Sequence, residues 1–274
     1  MNLMKPMKKV FINFLGFFFA ILALFPLLWM VLSGFKAKRE VLAYPFKLLP
    51  NEWMISNYTD TLQNPMFIRT MVVTFAGAII FTAVSVAINS MAAYVFARLD
   101  FAFKKVLWIY VISTMFIPGM AILVTSFIVV TNLNMLDTMY VLILPGLAGA
   151  FAVFFVRQFY LNIPIALEEA AMIDGATRFG IYRHVFLPMS FPPFVIIGIG
   201  AFLGYWNSYI WPTMTITNPD LYQISQFLAT FRSERTTELG LLMAGSTMAA
   251  LPTIILFLIF QKHIIQGIKI SGLK

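Results

Sequence analysis

The placement of charge constrains this chain more than any other feature. Asp, Glu, Lys and Arg are absent from Val10 to Phe35, Thr70 to Ala97, Val106 to Leu136, Thr138 to Val156, His184 to Pro219 and Leu239 to Gln261. A helix crossing the hydrocarbon layer needs ~20 apolar residues and no uncompensated charge. The pattern therefore predicts an all-α polytopic membrane protein with six transmembrane helices, over 10–33, 70–97, 106–131, 139–158, 188–212 and 240–261. A β-barrel does not fit, because barrel strands alternate polar and apolar residues. Composition agrees: the chain is 61% hydrophobic and 11% charged, against ~45–50% and ~25% in soluble domains. That excludes a soluble enzyme, a disordered chain and a nucleic-acid-binding domain. The net charge of +8 is what loop-anchoring Lys and Arg give a membrane protein. With no cysteine, disulfides, thiolate metal sites and a catalytic thiol are excluded.

The first apolar block follows Lys5, Lys8 and Lys9, like a secretory leader. It outruns the 7–15 residues of a leader's apolar region and lacks an A-x-A-like site, so it reads as a retained anchor. Loop cations set the orientation. With the N-terminus inside, inner segments hold Lys5, Lys8, Lys9, Arg98, Lys104, Lys105, Arg157, Arg178, Arg183, Lys262, Lys269 and Lys274. Outer segments hold Lys36, Lys38, Arg39, Lys47, Arg69, Arg232 and Arg235. The balance puts both termini in the cytoplasm, with the cluster Lys36, Lys38 and Arg39 running against the rule. Three connections, 34–69, 159–187 and 213–239, exceed simple turns, and long loops in compact proteins are usually functional.

The cores of the spans hold no carboxylate, Lys or Arg, which argues against a proton-relay carrier. The milder polar residues there include Asn89, Ser90, Ser126, Asn207, Ser208 and Ser246. They serve either as helix–helix contacts or as a path for a polar solute. Tyr205, Asn207 and Ser208 are the candidates for a pore or substrate role. Aromatic faces and amides suit sugar rings, yet Trp206, Tyr209 and Trp211 also fit the aromatic belt at a span end. A self-sufficient carrier should show inverted repeats and broken helices, and neither is evident. An intramembrane serine enzyme needs a base beside its nucleophile. Ser246 and His263 stand roughly 25 Å apart at ~1.5 Å per residue, so no catalytic residue is assigned. His184 and His263 have no metal-binding companions.

The connection 159–187 is the most informative. Pro164 suits a helix's first turn, and Glu168 and Glu169 then lie near the positive end of its dipole. A short helix is expected from Ile165 to Asp174, broken at Gly175. Ala170, Ala171, Gly175 and Ala176 permit close approach by another chain. A helix lying on lipid headgroups would be basic on its polar face. This one carries Glu168, Glu169 and Asp174, which suits docking to a protein.

The residues here resemble a family. Glu169-Ala170-Ala171, then Gly175, Val185 and Leu187-Pro188, reproduce the cytoplasmic signature of bacterial ABC importer permeases: Glu-Ala-Ala, three residues, Gly, nine residues, an aliphatic residue, one residue, Leu-Pro. Asp174-Gly175-Ala176 matches its extended form, and Val185 replaces the usual Ile. Phe155 to Tyr160, Tyr205 to Pro212 and Gly240 to Ser246 resemble the carbohydrate, maltose-type branch, in the manner of its smaller permease subunit. Arg69-Thr70 departs from a frequent Asn-Ser pair.

The resemblance implies a first helix with its outer loop (1–69), a transmembrane core (70–265) and a cytoplasmic tail (266–274). It implies half of a translocation pore, completed by a second homologous permease. Two cytosolic ATPase subunits would power it, and an extracytoplasmic solute-binding protein would deliver a sugar or oligosaccharide. Glu168, Glu169, Ala170, Ala171, Met172, Ile173, Asp174, Gly175 and Ala176 would form the coupling helix against the ATPase. Arg232, Glu234 and Arg235 would reach the binding protein. No cofactor is expected on this chain, with ATP and Mg held by the ATPase. A polyol or glycerol phosphate derivative is an alternative cargo, although no basic residue within the spans is placed to meet a phosphate.

Overall fold

The structure is a computed structural model that describes the backbone of residues 4–232 and 238–272, with the side chains of 9–232 and 238–263. Its helices are α1 (Met4–Gly34), α2 (Ser56–Gln63), α3 (Pro65–Arg98), α4 (Lys104–Ser113), α5 (Leu123–Asn132), α6 (Met139–Ile143), α7 (Ala150–Leu161), α8 (Ile165–Ile173), α9 (Arg178–Ile181), α10 (Leu187–Met189), α11 (Phe191–Trp206), α12 (Ile210–Thr215), α13 (Ile224–Thr230) and α14 (Leu239–Gly272). Among the described residues there is no strand.

Three apolar helices are unbroken and long enough to cross a bilayer: Lys9–Gly34, Pro65–Arg98 and Leu239–His263. Three further apolar helix pairs are each sharply bent at a short break: Lys104–Phe116 with Gly119–Asn132 (100°), Ala150–Leu161 with Ile165–Ile173 (78°) and Arg178–Met189 with Phe191–Trp206 (81°). The sequence reading drew 106–131, 139–158 and 188–212 as continuous helices and saw no broken ones. That is corrected here.

Proline marks the break in the first pair and two further interruptions, between α6 and α7 and between α11 and α12. A proline cannot donate to the carbonyl four residues earlier, and its ring crowds that carbonyl. Pro118 forces Ile117 into extended backbone (φ −87°, ψ 117°), as proline does to the residue before it. The chain turns there between two short 3₁₀ segments. Pro145 ends α6 and is followed by Gly146 in left-handed backbone (φ +85°). Pro212 separates α11 from α12 at 207–209.

Each freed carbonyl needs a new donor in an apolar medium, and each finds one. Val141, four before Pro145, accepts from Trp211 Nε1 at 2.8 Å. Ser208, four before Pro212, accepts from Ser225 Oγ at 2.5 Å. Thr114, four before Pro118, accepts from the Ile117 amide at 3.2 Å. Asn89 holds the gap between α6 and α7 from α3. Its Nδ2 donates to the Leu147 carbonyl at 2.7 Å, and its Oδ1 accepts from the Gly149 amide at 2.8 Å. Ser85 Oγ donates to the same Leu147 carbonyl at 2.9 Å.

The chain divides into two compact units, Met1–Ile68 with Phe227–Pro252, and Arg69–Gln226 with Thr253–Lys274. In the first, Lys36 is 1% exposed. Its ammonium donates to the Lys47 carbonyl and lies over the Phe46 ring. Asn57 Nδ2 donates to the carbonyls of Gly34 and Lys36, both at 2.9 Å. Tyr58 Oη donates to Val31 at 2.9 Å, and burial pushes that phenol's pKa up. Lys38 pairs with Glu238 at 2.8 Å. Two of the three cations that ran against the orientation rule are thus engaged by the protein itself.

In the second unit, a core of Tyr94, Val156, Tyr160, Ile163, Ile181, Tyr182 and Phe186 packs α3, α7 and the 178–189 segment together. Ser90 and Tyr182 share a hydrogen bond of 2.6 Å inside it. This core carries α8. A separate tie joins the 133–138 loop to the start of the 216–223 segment. The Asp137 carboxylate accepts from the Thr217 amide at 2.6 Å, the Thr217 hydroxyl at 2.6 Å and the Asn218 amide at 2.7 Å.

Candidate functional site

Two places hold the residues that the sequence singled out: α8 with the turn after it, and a cavity among the broken helices.

Helix α8 opens after Pro164 and stops at Gly175, which sits at φ +80°. The Ala176 amide donates to the Ala171 carbonyl at 2.9 Å and the Gly175 amide to Met172 at 3.0 Å. This pair of bonds, with glycine in left-handed backbone, closes a helix and turns the chain sharply. A Cβ on Gly175 would meet nothing within 4 Å. Glycine is required there by backbone conformation and not by crowding. Thr177 then caps α9, its Oγ1 accepting from the Gly180 amide at 3.1 Å.

The helix has two faces. Glu168 is 5% exposed and accepts from Arg178 Nη1 at 2.8 Å. Arg98 Nε lies 3.9 Å from its other oxygen. Arg98 also donates to the carbonyls of Tyr160 and Ile163, and its guanidinium lies 5.2 Å from the Phe186 ring. Ala171 and Ala176 pack on the same core. On the opposite face Glu169, Ala170, Met172, Ile173 and Asp174 are exposed, Ile173 by 86%. The nine residues therefore part company: Glu168, Ala171 and Ala176 fix the helix, and the others present a surface. Sequence reading missed Arg98, which it counted only as a loop cation. It gave Arg157 and Arg178 no role, yet Arg157 stacks over Trp108 at 4.2 Å and Arg178 pairs with Glu168.

The second place is a cavity of about 450 Å³ within the second unit, lined by Phe81, Gly119, Ser126, Gly146, Gly204, Tyr205, Ser208, Trp211 and Gln223 among others. It lies where the prolines interrupt the helices. Of the three pore candidates, Tyr205 and Ser208 line it. Asn207 does not; its Nδ2 donates to the Leu203 carbonyl at 3.0 Å, closing α11. Tyr205 packs against Phe81 with ring centroids 5.4 Å apart and planes tilted by 37°, and Gly77 gives its hydroxyl room, since a Cβ there would stand 2.2 Å from Oη. Sequence reading missed Gln223, which is 1% exposed. Of the binding-protein candidates, Arg232 is exposed, while Glu234 and Arg235 lie outside the described residues. So do the side chains of the tail 266–274.

Residues 88–270 match the family described as the binding-protein-dependent transport system inner membrane component. The chain belongs to this family. It is 32% identical to a probable ABC transporter permease, YurM, of Bacillus subtilis, covering 98% of this chain and 92% of that one. It is 31% identical to the arabinooligosaccharides transport system permease AraQ of Halalkalibacterium halodurans, covering 95% of each. Among solved structures, a chain of a bacterial ABC transporter involved in import of the acidic polysaccharide alginate superposes with a TM-score of 0.83 at 20% identity, covering 96% of this chain and 98% of that one. At that identity the likeness establishes the fold.

The permease is thus a multi-pass membrane protein of an ABC importer, working with an ATPase and a solute-binding protein. Membership also settles the question that the broken helices reopened. They belong to a permease of this fold, and they make the cavity.

Proposed function

We propose that this permease subunit imports a sugar or oligosaccharide, as one half of a pore completed by a second homologous permease. Two ATPase subunits drive it, and an extracytoplasmic solute-binding protein loads it. The chain performs no chemistry of its own; ATP and Mg stay on the ATPase. Both termini face the cytoplasm, so that α8 projects towards the ATPase. The core runs over 70–265, with 1–69 preceding it and the tail 266–274 lying on the cytoplasmic side. Tyr205 and Ser208 line the solute path, and Arg232, Glu234 and Arg235 meet the binding protein.

The observation that carries this reading is the two-faced helix α8. A lever must be rigid on the side where it is held and presentable on the side where it is pushed. Glu168, clamped by Arg178 and Arg98, supplies the first property. Glu169, Met172 and Ile173 supply the second, an acid beside two exposed apolar side chains. Closure of the ATPase dimer then moves α8, and through its core contacts α3, α7 and the 178–189 segment. The sugar assignment rests on relatives whose names specify arabinooligosaccharides and diacetylchitobiose.

The test is extraction of the tagged chain in mild detergent, with ATPase activity measured on the eluate. Co-elution of an ATPase and a second permease, lost on Glu169→Lys or Gly175→Asp while the chain stays in the membrane, is expected. A chain that elutes alone yet transports when reconstituted overturns the reading in favour of a self-sufficient carrier.

A further inference from the structure

The cavity among the broken helices contains a polar atom that the fold leaves unused. Gln223 is almost wholly buried, at 1% exposure. Its Nε2 donates to the Leu221 carbonyl at 3.3 Å, and its backbone N–H donates to Gln226 Oε1 at 3.0 Å. Its own Oε1 has no hydrogen-bond partner among the described residues, although the side chain lines the cavity. Burying an amide oxygen without a partner is costly in a protein. Such atoms normally await a water or a ligand.

The surroundings narrow the ligand. Phe81, Trp211 and Tyr205 supply aromatic walls, Ser126 and Ser208 supply hydroxyls, and no lining residue carries a charge. Trp211 is held in place by its bond to the Val141 carbonyl. The volume of about 450 Å³ falls in the range of ~300–1,000 Å³ typical of small-molecule sites.

We infer that Gln223 Oε1 accepts a hydroxyl of an uncharged sugar ring seated in this cavity, making this subunit itself a specificity element for neutral over acidic sugars. The inference rests on the sugar reading of the preceding section and adds to it a residue and a charge class. A uronate here would face aromatic walls and an acceptor oxygen with no cation to meet its carboxylate, and an unpaired buried charge is strongly disfavoured.

The experiment uses the whole transporter, with its binding protein, in proteoliposomes. Uptake of labelled neutral arabino-, malto-, xylo- and cello-oligosaccharides is compared with uptake of digalacturonate. Wild-type complex is expected to take up a neutral sugar and not the uronate. With that sugar as probe, Gln223→Met is expected to raise the half-saturating concentration about three- to tenfold, the loss of one hydrogen bond, in complexes that keep all their subunits. Should Gln223→Met fail to assemble, Gln223→Asn withdraws the oxygen by one methylene and keeps an amide; the same rise is expected. An unchanged half-saturating concentration in an intact complex overturns the site, and preferential uptake of digalacturonate overturns the charge class. If wild-type complex takes up no sugar at all, the sugar reading fails, and this site falls with it.

Discussion

Arg178 donates to Glu168 across 2.8 Å, while Glu169, the next residue, is exposed. Two adjacent carboxylates on one short helix therefore have opposite uses. Glu168 is part of the mount, and its loss leaves Arg98, whose side chain is 10% exposed, without its acid. Removing one partner of a charged, buried hydrogen bond costs about 1–3 kcal/mol. The lower part of that range applies here, because Arg178 is 55% exposed and water recovers much of its loss. Glu168→Ala is expected to lower the thermal unfolding temperature of the detergent-solubilised chain. Glu169→Ala should leave it within about 0.5 kcal/mol while reducing the ATPase retained on the eluate. Equal thermal losses in both variants would show that the helix has no separate mounted and presented faces.

Gly175 tests the same helix through the backbone. Its left-handed φ of +80° costs a side-chain-bearing residue about 1–2 kcal/mol, and the space around it is open. Gly175→Ala is thus expected to strain the turn without a clash, and the β-branched Gly175→Val should strain it more. Gly175→Asn, which tolerates left-handed backbone, should retain most ATPase. The order Gly, Asn, Ala, Val in ATPase retained on the purified permease is the check. A flat series would mean that the turn's shape does not matter for docking.

The breaks in the spans can be tested by their caps. Trp211→Phe keeps an aromatic wall but removes the donor to Val141, leaving the carbonyl that Pro145 freed without its partner. Asn89→Leu removes a donor and an acceptor from the gap at 147–149. A buried group left unpaired costs about 1–3 kcal/mol. Each variant should unfold at a lower temperature by a similar amount, since Asn89→Leu orphans the Gly149 amide while the Leu147 carbonyl keeps its bond from Ser85 Oγ. Circular dichroism of the purified chain during heating measures this, and unchanged midpoints would mean that other donors reach these carbonyls.

How much of this was legible in the sequence differs by feature. Charge-free blocks located the apolar helices because a bilayer tolerates few alternatives to a spanning helix. The signature placed α8 and its end at Gly175 within a residue, because glycine and the preceding alanines are local determinants. Sequence could not divide Glu168 from Glu169. That depends on which side of α8 meets the core, and the deciding residue, Arg98, comes from a helix 70 residues earlier in the chain. The breaks near Pro118, Pro145 and Pro212 were also missed. A proline in a span either kinks or stops the helix, and the choice is made by distant donors such as Trp211, Ser225 and Asn89. Gln223 carried no local signal, being one amide in a polar connection until the fold buries it.

Asp137 gives a pH dependence. Hydrogen bonds from the Thr217 hydroxyl first, and then from the amides of Asn218 and Thr217, hold its carboxyl below the ordinary aspartate value of 3.8. These bonds are made to the ionised form, so they favour the folded state wherever the unfolded carboxyl would also be ionised. Their contribution is complete above 3.8 and is lost as pH falls through the lower, folded value. The tie between the 133–138 loop and the segment beginning at Ile216 should therefore loosen only in strong acid and stay constant across the neutral range. Asp137→Ala removes the acceptor of all three bonds. The variant is expected to show, at neutral pH, amide hydrogen exchange at Thr217 and Asn218 faster than in the parent chain. That difference should narrow only as pH falls through the lowered, folded value, where the parent loses the same bonds. Equal exchange in the two chains at neutral pH would mean that the Asp137 bonds do not hold this loop.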